Sequence, residues 1–89
     1  MSKIKVFFSD SSFEVFHEDK TFNLYEKRVT DWEPVSSYLE VKNTVTLHNP
    51  TNRHMAVEFM ESLANVEFFE DIETGSVYKV ASIVKIVNL

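Results

Sequence analysis

Two histidines and a glutamate near the middle of the chain have the residue types of a metal site. His54 and Glu58 are spaced so that a helix would bring them one turn apart, and His48 comes shortly before them. A closed metal site needs more ligands than such a pair supplies, and no further histidine or cysteine is close to them in the sequence. We therefore expect a solvent-facing His54–Glu58 pair and no bound metal.

Two carboxylates, Glu58 and Glu61, have the spacing of an acid–base pair on one helix. General acid catalysis requires that one carboxyl group be desolvated so that its pKa rises, whereas both residues fall on the polar side of an amphipathic helix. The serines have no glycine-rich elbow near them, and the single glycine, Gly75, excludes a loop that cradles phosphate. The sequence thus predicts no catalytic residue and no cofactor.

The segment from Val66 to Glu73, VEFFEDIE, places two phenylalanines among four carboxylates with no base between them. As a strand, this segment sends alternate side chains to opposite faces of a sheet. Glu70 then points inward, which indicates an edge position, a bulge or a different register of the strand. The inward set, expected beneath the helix, is Val66, Phe68 and Ile72, and the outward set is Glu67, Phe69, Asp71 and Glu73.

The Phe69 ring is therefore expected to face solvent among carboxylates. Residues from His54 to Glu73 include six acids and no base, whereas the rest of the chain has eight acids and nine bases. Carboxylates attract a basic partner, and an exposed aromatic anchors the complex once water is expelled. The alternative is that Phe69 covers the far side of the sheet and the acids are merely solvated. The predicted partner-binding residues are Phe69, Glu67, Asp71, Glu73, Glu70, Glu58, Glu61 and Trp32.

The loop Asp31-Trp32-Glu33-Pro34 is a second acidic and aromatic element. Tryptophan is a common interface anchor, but in a small domain it usually contributes to the core. We expect Trp32 in the core, and exposure beside Phe69 would instead make it a second anchor.

The apolar periodicity predicts an α+β fold with the order β-β-β-β-α-β-β. Alternation predicts strands over Lys3–Phe8, Phe13–His17 and Thr21–Lys27, and the period-two series Leu39, Val41, Val45 and Leu47 predicts a long fourth strand with a bulge near Asn43. Asn49-Pro50-Thr51 suits a helix N-terminus, and Ala56, Phe59, Met60 and Leu63 form its apolar stripe. The last two strands, before and after Gly75, form a hairpin. We expect one antiparallel sheet of about six strands with the amphipathic helix packed on one face.

Size and composition predict a single domain over residues 1–89. The apolar fraction of 44% and the charged fraction of 26% are those of an ordinary globular domain, and the net charge is −5. The absence of cysteine excludes disulfides and thiolate chemistry and favours the cytoplasm. The apolar-rich stretch Val77 to Leu89 is too short and too polar to cross a bilayer, so no membrane association is expected.

These observations predict a small acidic protein-binding module, an inhibitor or adaptor that engages a basic surface of a partner. One form is a virus-encoded nucleic-acid mimic, acting in the host cytoplasm, whose carboxylates take the place of phosphates on a nucleic-acid-binding protein. Direct binding of nucleic acid is not expected, because an acidic face repels phosphate and only Lys3 and Lys5 form a close basic pair. The alternatives are a structural or self-associating subunit, such as a homodimer formed through an edge strand, and a small enzyme or ligand carrier.

Overall fold

Seven strands and one helix make up the computed structural model, which describes residues 2–30, 32–34, 36–49 and 54–89. The predicted α+β class is confirmed, and the predicted final strand is divided by a short 3-10 turn, Val80–Ser82. The elements are β1 (Lys3–Phe8), β2 (Phe13–His17), β3 (Thr21–Val29), β4 (Ser37–Thr46), α1 (Met55–Ser62), β5 (Phe68–Asp71), β6 (Val77–Lys79) and β7 (Ile83–Asn88).

The strands form two antiparallel sheets rather than one. A three-stranded sheet has the order β2-β1-β7, and a four-stranded sheet has the order β4-β3-β5-β6. The chain passes from the second sheet back to the first through the Val80–Ser82 turn, where the Ser9 N–H donates to the Ser82 carbonyl over 2.8 Å. The first and last strands of the described chain are therefore neighbours.

Among the described residues, four have left-handed backbone, and they lie in tight connections. Gly75 has a φ of 77° in the β5–β6 hairpin, as its position in the sequence predicts. Ser11, Asp19 and Asn65 also have positive φ, of 73°, 76° and 61°. Short polar side chains tolerate this conformation best among residues with a Cβ, so a chain with one glycine still makes several sharp turns.

The core lies between the two sheets and the helix, and aromatic rings occupy its centre. Phe16 and Phe22, from different sheets, meet edge to face with centroids 5.0 Å apart. The buried apolar side chains are Ile4, Val6, Phe8 and Phe16 from the three-stranded sheet, Phe22, Leu24 and Phe69 from the four-stranded sheet, Met55, Ala56 and Phe59 from the helix, and Leu47, Leu63 and Val66 from the connections.

The helix begins at Met55, with His54 as its extended N-cap residue. Of the predicted cap Asn49-Pro50-Thr51, the last two residues lie outside the described part of the chain. The predicted apolar stripe is correct at Ala56, Phe59 and Leu63, whereas Met60 is half exposed and Met55 is buried instead. The Ala56 N–H donates to the side-chain oxygen of Asn88 over 2.9 Å, which fixes the start of the helix against β7.

Strands β3 and β4 extend beyond the rest of their sheet. β5 pairs with β3 only from Phe22 to Tyr25, whereas β4 pairs with β3 along its whole length. In the described structure, Glu26–Val29 and Ser37–Glu40 pair only with each other. This two-stranded part, together with the described loop residues between the strands, is called the arm below.

Candidate functional site

The predicted centre of the recognition surface, Phe69, is buried. Its side chain is 0% exposed, so the expectation of a solvent-facing ring is wrong. The ring lies 5.0 Å from that of Tyr78 and 5.5 Å from those of Phe22 and Phe59, centroid to centroid. Phe69 is therefore the middle of the aromatic core and cannot contact a partner.

The error comes from where the strand begins. Asn65 has left-handed backbone, and the Val66 N–H donates to the Leu63 carbonyl, so Val66 belongs to a turn after the helix. The strand β5 starts only at Phe68, and Phe69 pairs with Leu24 on its core-facing side. Alternation then runs opposite to the prediction, so that Phe69 and Asp71 point inward and Phe68 and Glu70 point outward. Ile72, expected inward, follows the strand and is 48% exposed.

Asp71, predicted on the surface, is also buried, at 2% exposure. Its Oδ2 lies 2.9 Å from Lys20 Nζ, and its Oδ1 accepts the Glu73 and Thr74 N–H groups of the hairpin turn. Burial by itself raises the pKa of Asp71, but the bond to Lys20, its charge and the turn amides together hold the pKa below its ordinary value. The hydrogen bond from Asp71 correspondingly raises the pKa of Lys20. Asp71 is thus a structural carboxylate.

The other acids of the predicted site have different surroundings. Glu70 accepts hydrogen bonds from Tyr25 Oη at 2.9 Å and Asn23 Nδ2 at 3.2 Å, and the first of these raises the pKa of Tyr25. Glu73 is exposed but lies 3.0 Å from Lys20 Nζ. Glu67 is exposed ahead of β5, Glu61 is exposed on the helix and Glu58 is half-buried there. Because Asp71 is internal and Glu70 and Glu73 already have partners, the acids do not form the predicted fence around an aromatic ring.

Trp32 is 68% exposed in the loop that joins β3 to β4, so its expected place in the core is also wrong. The loop is organised by Thr30, whose N–H donates to the Ser36 carbonyl over 2.9 Å. The Thr30 hydroxyl accepts the Ser36 N–H over 2.9 Å and donates to the Pro34 carbonyl over 3.2 Å. Trp32 therefore stands at the end of a closed hairpin, with Glu33 next to it, and it is far in the fold from the buried Phe69.

The arm carries further exposed apolar side chains that the sequence did not single out. Arg28 bridges Glu26 at 2.7 Å and Glu40 at 3.1 Å on one face of the arm, so part of its charge is internally compensated. The exposed apolar residues of the arm and its base are Val29 at 58%, Tyr38 at 50%, Leu39 at 49% and Val41 at 47%. Val29, Leu39 and Val41 share one face of the two strands, and Tyr38 lies on the other. Exposed apolar side chains gathered on one face are typical of a protein interaction site.

A bulge explains why Leu39 and Val41 are exposed. Leu24 pairs with Asn43, and the next residue of β3, Tyr25, pairs with Val41. Lys42 is therefore an extra residue in β4 without a partner position in β3. The bulge reverses the alternation, so the series through Leu39 and Val41 faces away from the core whereas Val45 and Leu47 face it. The predicted bulge in β4 is therefore present. The regular apolar spacing in the sequence did not show that the bulge turns Leu39 and Val41 to the outer face.

A hollow of about 310 Å³ lies between the end of β4 and the helix. His48 and Glu58 line it beside the apolar side chains of Leu47, Met55 and Phe59. Within the described ranges, no three histidine, aspartate or glutamate side chains come together as a metal site. The small-enzyme or carrier alternative remains a prediction of the sequence.

No protein-family model, no curated protein and no solved structure matches the chain. In the part of the chain that the structure describes, no helix combines the length and the apolar character needed to span a bilayer.

Proposed function

We propose that this protein is a protein-binding adaptor or inhibitor that acts through the arm, by placing Trp32 in an apolar pocket of a partner whose rim is basic. The observation that carries this proposal is the 68% exposure of the single tryptophan at the end of a projecting hairpin. The partner-binding class and the basic partner are those expected from the sequence, and the contact surface is now the arm rather than the segment around Phe69.

The energetic argument rests on the area of the indole ring. Tryptophan buries more apolar surface than any other side chain, and truncation of such an anchor at an interface costs about 2 kcal/mol or more. An exposed tryptophan adds little to the stability of the free domain. The exposed side chains of Val29 and Leu39, which share one face of the arm, would exclude water from the contact once the ring is buried.

The charge argument favours a basic rim on the partner. Glu33 adjoins Trp32 in the described loop, and Asp31, which precedes it in sequence, lies outside the described residues. With a net charge of −5, the chain attracts a basic surface at long range, and salt screens this attraction. The nucleic-acid-mimic form of the hypothesis has less support, because it needs a continuous acidic face and Asp71 is internal.

The test uses wild type, Trp32→Ala and Phe13→Ala as parallel baits in a lysate of cells that produce the protein. Phe13 is the matched control, since it is an aromatic side chain of similar exposure, 52%, on the other sheet. We expect a partner that binds wild type and Phe13→Ala and is lost with Trp32→Ala. With the purified partner, the fluorescence of Trp32 should shift to the blue and become protected from acrylamide, and added salt should weaken the affinity.

Two results would contradict the proposal. One is a partner that binds Trp32→Ala as well as wild type, with unchanged tryptophan fluorescence in the complex. The other is a salt-insensitive homodimer in sedimentation at several concentrations, because exposed edge strands such as β4 and β7 would then pair with a second copy.

A further inference from the structure

The outer face of the three-stranded sheet combines cations with aromatic rings. The register places Lys5 opposite Val15 on one side and Val87 on the other, and Phe7 opposite Phe13 and Lys85. Residues directly opposite in antiparallel strands point to the same face. Since Ile4 and Val6 face the core, the alternate residues face outward. The outward set is Lys3, Lys5 and Phe7 from β1, Phe13, Val15 and His17 from β2, and Lys85 and Val87 from β7.

The cations and rings of this face are in contact. Lys5 Nζ lies 4.1 Å from the ring centroid of Phe13 and 5.1 Å from that of Phe7, and Lys85 Nζ lies 4.8 Å from that of Phe7. The two rings are 6.2 Å apart. Phe13 is 52% exposed, so a large part of its ring remains open to solvent, whereas Phe7 is half-buried.

The local charge of this face is opposite to that of the molecule. The outward set contains three lysines and one histidine and no acid, although the chain has a net charge of −5. The sequence did not indicate this cluster, because Lys85 is distant from Lys3 and Lys5 until β7 pairs with β1. An anionic ligand would therefore meet a positive field here in spite of the overall negative charge.

We infer that this face binds single-stranded nucleic acid, with bases stacked on Phe13 and Phe7 and phosphates bound by Lys3, Lys5 and Lys85. A basic surface with exposed rings on a sheet is the arrangement by which proteins bind unpaired strands, because every base offers a ring face for stacking. A ligand that carries only acidic groups would be bound by the lysines alone, whereas the exposed ring of Phe13 favours a ligand that also offers flat ring faces. This site is separate from the arm, so it does not depend on the function proposed above.

The test measures fluorescence anisotropy of labelled oligothymidylate and oligouridylate of about 15 nucleotides at low salt. We expect binding of one or both, with a slope of log association constant against log salt of about −2, from three lysines at about −0.7 each. Phe13→Leu, which keeps an apolar side chain but removes the ring, should weaken binding about tenfold. The double variant Lys3→Gln/Lys85→Gln should weaken it at least as much and reduce the slope to about −0.7.

The matched charge control is Lys27→Gln/Lys79→Gln, which changes the net charge equally on the four-stranded sheet. It should bind as wild type does, as should Trp32→Ala, and circular dichroism should show all variants folded. We also expect stronger binding to unpaired strands than to duplex DNA. In NMR spectra, the amide shifts caused by the oligonucleotide should be confined to β1, β2 and β7. The inference is overturned if no oligonucleotide binds at low salt, if Phe13→Leu has no effect, or if polyglutamate binds as tightly as the oligonucleotides.

Discussion

Two adjacent phenylalanines in β5 have opposite structural roles. Phe69 packs against rings from both sheets and from the helix, whereas Phe68 lies on the outer face opposite Tyr25 and Lys79. Neither residue type nor neighbouring charge separates them in the sequence. What separates them is the residue at which the strand starts, because each shift of one position exchanges the two faces.

Replacement of Phe69 by alanine should destabilise the protein by about 3–5 kcal/mol, since it leaves a cavity at the centre of the core. For a domain with a stability on the order of 5 kcal/mol, that loss should leave a large fraction unfolded at room temperature. Phe68→Ala is the matched control and should cost about 1 kcal/mol. Urea unfolding followed by circular dichroism measures both, and equal losses would contradict the assigned faces.

Replacement of Asp71 by asparagine should destabilise the protein by about 2 kcal/mol at neutral pH, because Lys20 loses its buried partner. The pKa of Asp71 is lowered by folding, so its contribution is complete above the ordinary value of 3.8 and is lost as the pH falls through the folded value. The stability difference between wild type and Asp71→Asn should therefore shrink below that pH.

Urea titrations at a series of pH values measure this difference. The control is Glu73→Gln, which removes the exposed partner of the same ammonium group and should cost less. A difference between wild type and Asp71→Asn that stays constant down to strongly acidic pH would show that the ion pair does not stabilise the fold.

At the scale of elements, the arm is the part of the four-stranded sheet that the core does not require. Its exposed apolar residues, such as Tyr38 and Leu39, are not part of the buried core, and β5 ends before reaching it. Its base is fixed from the other side, since Lys42 Nζ donates to the Ala64 carbonyl after the helix over 3.0 Å. The bulge thus holds the start of the arm to the body of the domain.

A shortened chain, in which a two-residue Asn-Gly turn joins Lys27 to Leu39, should fold with nearly unchanged stability, within about 1 kcal/mol. The described residues among those replaced contribute none of the buried apolar side chains. The same chain should lose the partner that Trp32 recruits and keep the oligonucleotide binding of the other sheet. Thermal unfolding and the two binding assays measure these outcomes, and loss of the fold would mean that the arm supports the core.

Much of this organisation could be predicted from the sequence, and the failures have a common cause. The strand order along the chain, the helix stripe at Phe59 and Leu63 and the Gly75 turn follow from local pattern. The predicted directions of the side chains are wrong after Asn65, where a turn delays the start of β5. Around Lys42, one extra residue reverses the alternation along β4. An alternating pattern does not give the residue at which a strand starts, so Phe69 was predicted on the wrong face, and it does not give the side of the sheet that Leu39 and Val41 face after the bulge.

At the scale of the whole molecule, the charge is distributed over separate surfaces rather than concentrated on one. The three-stranded sheet presents lysines, and the helix presents Glu58 and Glu61. Among the described ion pairs, Lys20–Asp71 is the most buried. The basic sheet face and the exposed tryptophan belong to different sheets. A domain of this size can therefore offer two independent contacts, which is the property that an adaptor needs.

The adjacency of β1 and β7 has a consequence for how the chain acquires its shape. Ile4 pairs with Asn88, so residues separated by nearly the whole length must meet before the three-stranded sheet is complete. During synthesis, β1 is made long before β7, so the edge of β1 that pairs with Ile86 and Asn88 stays unpaired until those residues are added. Closing so long a loop is entropically slow, and the growing chain is most exposed to aggregation in that interval.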